Sequence, residues 1–404
     1  METNKFDLPK DFFKQFKDKE AFGDFFADLY KQGVEQMLQG ELDAHLGYEK
    51  SSKNGYNTGN SRNGFSAKTV KTENLGDIVL NIPRDRNGEF EPQVIPKGQT
   101  MSEKLEEAII GMYKHGMTTS DISTQVKEIY GVNVSETTIS NVTERINELV
   151  KTWQQRALES VYFTVWMDGI MMKVRHNGKY VNMCVFIVIG LKNTGYKEVL
   201  GMWIEENESA AFWMKVLTDL KARGVEDILI ACTDNLKGFT DAIKGVYPRC
   251  ITQLCVVHQI RNSCKYIVHK DRKGFCADLK NVYTAINLET AQDALVVLEN
   301  KWSKKYYYAI KSWKENWANL TAYFDYPMEI RTIIYTTNII ENLNRGIRKY
   351  TKTKVQFPDE TSCLKSVYLA IMNLEKNWTK PIPNWGLICH QFLINFADRC
   401  KVKI

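Results

Sequence analysis

The chain has 404 residues, 44% hydrophobic and 25% charged, with Lys+Arg 54 against Asp+Glu 48 and a formal net charge of +6. Such a composition excludes a disordered chain, a fibre and a disulfide-stapled miniprotein, and the length suggests two or three domains with ample core. The basic excess is too slight to require a polyanionic partner. Its distribution says more: residues 50–72 hold Lys50, Lys53, Arg62, Lys68 and Lys71 with no acid, and residues 342–354 are again basic without one.

The nine cysteines are scattered, and Cys184 and Cys232 lie in apolar strand-like runs, which fits reduced buried thiols in a cytosolic protein. The N-terminus lacks a basic segment followed by an apolar one, and no apolar run is long enough to span a bilayer. The expected compartment is the cytoplasm.

Residues 1–49 read as helical. Phe12, Phe13, Phe16, Phe22, Phe25, Phe26 and Leu29 recur at near-helical spacing, continued by Val34, Leu38, Leu42 and Leu46. This pattern predicts a packed helical hairpin or an oligomerisation helix, with binding to DNA ends a further use. In residues 50–100, Gly, Asn and Ser punctuate a basic loop, two short strands flank a glycine turn, and Pro83, Pro92 and Pro96 discourage a helix. Lys53, Arg62, Lys68 and Lys71 are candidate contacts to a polyanion; a solvated surface loop is the alternative.

Residues 101–155 read as three helices. The second, "TTSDISTQVKEIYG", has Ser/Thr caps and ends at Gly131; the third opens at Ser135. The pair matches helix-turn-helix geometry, which would turn Ser135, Thr137, Thr138 and Asn141 toward base edges and let Arg145 reach phosphate. A three-helix packing unit without DNA contact is the plainer alternative.

From Val161 the period changes. "VYFTVWMDGIMMKVR", "KYVNMCVFIVIGL" and "GYKEVLGMWIEE" are three strand-like runs separated by "HNG" and "KNTG" turns. A helix, the short strand "DILIACTD", a second helix, the strand "ITQLCVVH" and a third helix follow. Three antiparallel strands followed by strand–helix–strand is the layout of a ribonuclease H-like sheet. The predicted fold is thus an α/β ribonuclease H-like core (156–269 and the C-terminal helices of 336–404), interrupted by an aromatic-rich, all-α insertion at 270–335.

Three acids could carry chemistry. Asp168 sits inside an intensely apolar strand, where a carboxylate is costly unless paired or bound to metal. Asp234 ends a strand, at the carboxyl edge where open α/β sheets bind ligands. Glu341 is the lone acid in "YTTNIIENLNRGIRKYTK"; wound as a helix, this segment places Ile340, Leu343 and Ile347 on one side and Asn338, Glu341, Arg345 and Arg348 on the other. Convergence of the three would favour a hard divalent cation, Mg2+ or Mn2+, and the neighbouring bases would suit a phosphodiester. The competing reading of Glu341 is a surface pair with Arg345. The spacing of Cys250, Cys255, His258 and Cys264 superficially suggests zinc, but ligands straddling a strand end and a helix start would converge poorly. His258 is expected to pack or hydrogen-bond beside the acids, with Arg261 and Asn262 near substrate; a satisfied core histidine is the alternative.

"WMDGIMMKVR", "CTDNLKGFTDAI…YP…QLCVVHQIRN" and "TTNIIENLNRGIRKYTK…FP", with "GELDAHLGYEK" and "GMTTSDISTQVKEIYGVNVSETTIS" upstream, resemble the ordered signature blocks of bacterial Mutator-type insertion-sequence transposases over nearly the whole chain. The resemblance implies a DDE transposase with Asp168, Asp234 and Glu341 as the triad, holding two Mg2+ ions (or Mn2+). It also implies the family's Cys-x2-His signature on Cys255 and His258, and its basic residue on Arg348. Expected partners are double-stranded DNA, as terminal inverted repeats and target, and further copies of the chain in a homodimer or larger assembly; the expected setting is a bacterial nucleoid. Gly169 and Met171 depart from the Ala and Tyr more usual in the family. Rival readings are a ribonuclease H-fold nuclease that joins no strands and a non-catalytic, sequence-specific DNA-binding relative.

Overall fold

The computed structural model describes residues 11–400 except 57, 237, 336, 337 and 353. The chain forms two compact units, Met1–Glu144 and Arg145–Ile404.

In the first unit, a short 3-10 turn (Phe12–Gln15) precedes α1 (Lys19–Leu46). The expected helical hairpin is instead one continuous helix of 28 residues. Asp18 starts it by accepting from the Ala21 amide, and Gly47, in the left-handed region at φ 77, ends it. Its interior glycines cost helix propensity but supply no stop signal. Only Val34, Leu38 and Leu42 of α1 are buried. The phenylalanines instead pack on each other: Phe12, Phe16 and Phe25 have centroids 5.2–5.7 Å apart, and Phe13 and Phe26 remain exposed.

A two-stranded antiparallel hairpin, β1 (Arg62–Thr72) and β2 (Gly76–Asp85), is longer than its sequence suggested. Alternation along it delivers Val70, Ile78, Leu80 and Ile82 to a core shared with Val34, Leu38 and Ile95. At the end of β2, buried Asp85 accepts from Asn60 Nδ2 (2.8 Å) and from the amides of Glu89 (3.1 Å) and Phe90 (3.2 Å). Then come α2 (Glu103–Lys114), α3 (Thr119–Tyr130) and α4 (Glu136–Gln155), whose length carries it past the boundary between units. Thr118 and Asp121 form a capping box on α3, and Gly131 ends it at φ 68. The Ser123 hydroxyl donates to the Val134 carbonyl (2.7 Å), tying α3 to the turn before α4.

The second unit is built on β3 (Val161–His176), β4 (Lys179–Leu191), β5 (Lys197–Glu205), β6 (Asp227–Thr233) and β7 (Ile251–Leu254), with α5 (Ala210–Ala222) and α6 (Phe239–Val246) as connections. The five-stranded sheet has the order β5-β4-β3-β6-β7. β3, β4 and β5 pair antiparallel; β6 joins β3, and β7 joins β6, in parallel. Apolar residues along β3 and β4 alternate too little for a wetted face, because helices cover the sheet. One buried cluster unites Tyr162, Val165, Phe186, Trp213, Leu217 and Phe239.

After α7 (Val256–Lys265) the chain leaves the sheet for α8 (His269–Tyr283), α9 (Leu288–Glu315), α10 (Trp317–Thr321) and α11 (Met328–Ile334). It returns through α12 (Asn338–Thr351), α13 (Glu360–Glu375) and α14 (Trp385–Phe396). The return is anchored on the strands. Trp166 Nε1 donates to the Ile333 carbonyl (3.2 Å), Cys232 Sγ contacts that of Ile334 (3.4 Å), and the Val256 amide donates to that of Tyr335 (3.3 Å). α12 then packs against β3 and α13; a Cβ on Gly346 would lie 2.7 Å from Leu374, so glycine sets how closely α12 and α13 approach.

Candidate active site

Strand register brings the first two acids together. In the parallel pair, Trp166 of β3 lies opposite Cys232 of β6. Asp168 lies two residues further along β3, and Asp234 is the first residue beyond β6, so the two carboxylates emerge close together. Cys232 in turn pairs with Gln253 of β7, and Cys255, just past the end of β7, stays tied to β6 by its amide, which donates to the Thr233 carbonyl (2.8 Å). Cys255 also caps α7, its sulfur accepting from the His258 amide (3.4 Å). One helical turn therefore delivers the His258 imidazole to the rim.

The imidazole stands between two carboxylates. Nδ1 meets Asp234 Oδ1 as an ion pair, neither atom having another hydrogen-bond partner, and Nε2 lies 3.9 Å from Glu341 Oε1. Glu341, in the first turn of α12, receives both guanidinium nitrogens of Arg261 (2.8 and 3.2 Å), one helical turn after His258. Burial would lower the His258 pKa, but contact with Asp234 and Cys255 and the Asp234 charge outweigh it and lift it to about 10. Protonated, it is a built-in counter-ion of the acids.

Asp168 is half-buried. Its Oδ1 accepts from the Gly169 amide (2.8 Å) and its Oδ2 from Asn344 Nδ2 (2.7 Å). Burial, with the Asp234 charge adding, raises its pKa to about 6, against the opposing pull of the Gly169 amide and His258; Glu341 adds to the rise. The ligand atoms of Asp168, Asp234 and His258 all lie within 4.8 Å of one another. Two carboxylates at that separation, with a third paired nearby, are a donor set that fits a hard divalent cation.

Around them, Asn338, Arg345 and Arg348 lie on the exposed face of α12, as the helical spacing predicts. Arg345 bonds Asn342 (2.7 Å), and Glu341 takes Arg261, so the local Glu341–Arg345 pair gives way to one between α12 and α7. Asn262 accepts from Lys265 (2.8 Å). The zinc alternative finds no support: among the described residues no cysteine joins a group of potential metal ligands. Cys250 Sγ contacts the Ile251 carbonyl and Cys264 lies 3.4 Å from Cys276.

Ser135, Thr137 and Asn141 are exposed at the start of α4, and Ser135 caps that helix by accepting from the Thr138 amide (3.1 Å). Arg145 is exposed one turn beyond Asn141. In the first unit, Arg62 pairs with Asp43, donates to the Tyr48 carbonyl (2.6 Å) and lies over the Tyr48 ring, so it braces α1 against the hairpin. Lys68 donates to the Pro96 carbonyl (2.8 Å) and Lys71 pairs with Asp77 (3.0 Å); Lys53 opens a short 3-10 turn.

Asn344 is the residue that sequence reasoning missed. It continues the buried row Ile340, Ile347, Thr351 at helical spacing, and a carboxamide in such a row was the available signal. Gly169 also acquires a reason: a Cβ there would lie 2.3 Å from Cys184 Sγ on the paired strand.

The sequence profile described as "Transposase, Mutator family" matches residues 3–381. The chain belongs to the Mutator family of transposases. Among its relatives in that family, a probable transposase for insertion sequence element ISRM3-like of Sinorhizobium fredii is 40% identical over 94% of this chain and 95% of its own length. The transposase for ISRM3 of Rhizobium meliloti is 39% identical over the same shares. That for IS905 of Lactococcus lactis is 37% identical over 85% of this chain and 87% of its own.

Proposed function

We propose that the protein is a DDE transposase that binds the terminal inverted repeats of an insertion sequence and catalyses Mg-dependent cleavage and transfer of DNA strands, with Mn2+ able to substitute. The observation that carries the reading is the meeting of Asp168, Asp234 and Glu341, from two parallel strands and a returning helix, around one imidazole. Sheet order, the acids at the carboxyl rim and the helical excursion before Glu341 support a ribonuclease H-like core.

Asp168, Asp234 and Glu341 would hold the divalent ions. The chemistry they would supply is activation of an attacking water or 3′-hydroxyl and stabilisation of the leaving oxygen. The chain's own groups prepare the site. The Gly169 amide and Asn344 fix the Asp168 carboxylate, His258 and Arg261 neutralise Asp234 and Glu341, and Arg261, Arg345 and Arg348 are placed to meet phosphates. The exposed start of α4 is the candidate reader of base edges, and pairing two element ends calls for a homodimer or larger assembly. A cytoplasmic, nucleoid-associated protein fits this role. Among the described residues no helix is long and apolar enough to cross a membrane.

The test is a strand-transfer assay on labelled element ends in Mg2+, comparing wild type with Glu341→Gln. Joined product from wild type alone is expected. Equal product from both rejects the role of Glu341; cleavage without joining under all conditions favours a nuclease, and no cleavage a DNA-binding relative.

A further inference from the structure

We infer that Asn344 is a positioning residue of this centre, pinning Asp168 with its amide N–H and offering its carbonyl oxygen to a water in the same site; this rests on the metal-dependent reading above. Asn344 is 4% exposed, on the buried side of α12 one turn after Glu341. Its Nδ2 donates to Asp168 Oδ2 at 2.7 Å, while its Oδ1, also out of reach of solvent, has no hydrogen-bond partner. A buried carbonyl without a donor is unfavourable, and such an atom calls for a ligand or ordered water. Oδ1 belongs to the same planar carboxamide whose Nδ2 grips Asp168, so a water bound to it would lie next to the acidic centre.

The choice of side chain follows from charge. With the Gly169 amide on Oδ1 and Asn344 on Oδ2, both Asp168 oxygens have a donor and the carboxylate plane is fixed, while each retains a lone pair for a cation. An aspartate at 344 would add a fourth negative charge to a cluster that already repels itself. A leucine would keep the volume and leave Asp168 Oδ2 without its donor. Glu341 and Asn344, three residues apart on one helix, thus supply an acid and its neutral support to the same rim.

The test is Mn2+ binding by isothermal titration calorimetry on the full chain, with thermal unfolding of the metal-free protein alongside. In Asn344→Leu the Kd for Mn2+ should rise about 10- to 100-fold, the scale of losing a group that orients a metal ligand, with the metal-free Tm unchanged or higher. Asn344→Asp, of the same size, should have a lower metal-free Tm and gain more from Mn2+ than wild type does. Wild-type Mn2+ affinity in Asn344→Leu overturns the inference, as does an equal Mn2+ gain in Asn344→Asp should the leucine variant fail to fold. A wild-type protein that binds no Mn2+ overturns the metal-dependent reading itself.

Discussion

Asp85, at the end of β2 in the first unit, and Asp168, within β3 of the second, are both carboxylates set into β-structure, yet their proton affinities move in opposite directions. Burial would raise the Asp85 pKa, but Asn60 and the amides of Phe90 and Glu89 outweigh it and hold it at about 2. At Asp168, burial is reinforced by Asp234 and Glu341, and the pKa stands at about 6. At Asp85, hydrogen-bond donors prevail although the Glu89 carboxylate and the His45 ring lie close by; at Asp168 like charges prevail, and only part of their repulsion is offset by His258. The difference separates a carboxylate whose donors tie down the loop around it from one whose charge is only partly offset, as the proposed cation-binding role requires.

The comparison can be broken most decisively at Asp168. Asp168→Asn should lower strand transfer by about 10³-fold, the scale of losing one charge-stabilising group in an active site, while its metal-free Tm stays level or rises. A falling Tm would mean that Asp168, like Asp85, is structural. Asp85→Asn should do the reverse: loss of a charged acceptor facing three donors should cost about 2 kcal/mol, read from the denaturant midpoint of the first unit. Gly169→Ala probes what lies behind Asp168. Its new Cβ meets Cys184 Sγ, and the overpacking should cost about 1–2 kcal/mol; adding Cys184→Ala should recover most of it, and no recovery would show that the glycine serves another purpose.

The smallest effect is the pH dependence, where the two acids should have opposite signs. Between about pH 2 and 4 the unfolded chain holds a proton that native Asp85 lacks, so stability rises with pH there and is lost as pH falls through the native pKa. Between about pH 4 and 6 native Asp168 holds a proton that the unfolded chain has lost, so its contribution falls as pH rises. Asp85→Asn should flatten the first slope and Asp168→Asn the second in metal-free unfolding curves; slopes of one sign would reject the contrast.

Much of this was legible along the chain. Apolar strand-like runs parted by "HNG" and "KNTG" turns located β3, β4 and β5, and capping residues located α3, because those signals act over a few neighbouring residues. The phenylalanine-rich start misled: its spacing suggested a helical hairpin, whereas α1 runs unbroken and its rings pack on each other. Arg62 looked available to a polyanion until Asp43 and Tyr48 were seen to hold it.

The elements, the acids and the basic helix that carries the third of them can be read along the chain, since periodicity, caps and residue chemistry are local properties. Folding in three dimensions sets the rest: the strand register that brings Asp168 near Asp234, the return of α12 that turns Glu341 toward Arg261 rather than Arg345, and the burial of Asn344 against Asp168. Those depend on contacts between residues as many as 176 positions apart, which are fixed by how strands and helices pack together.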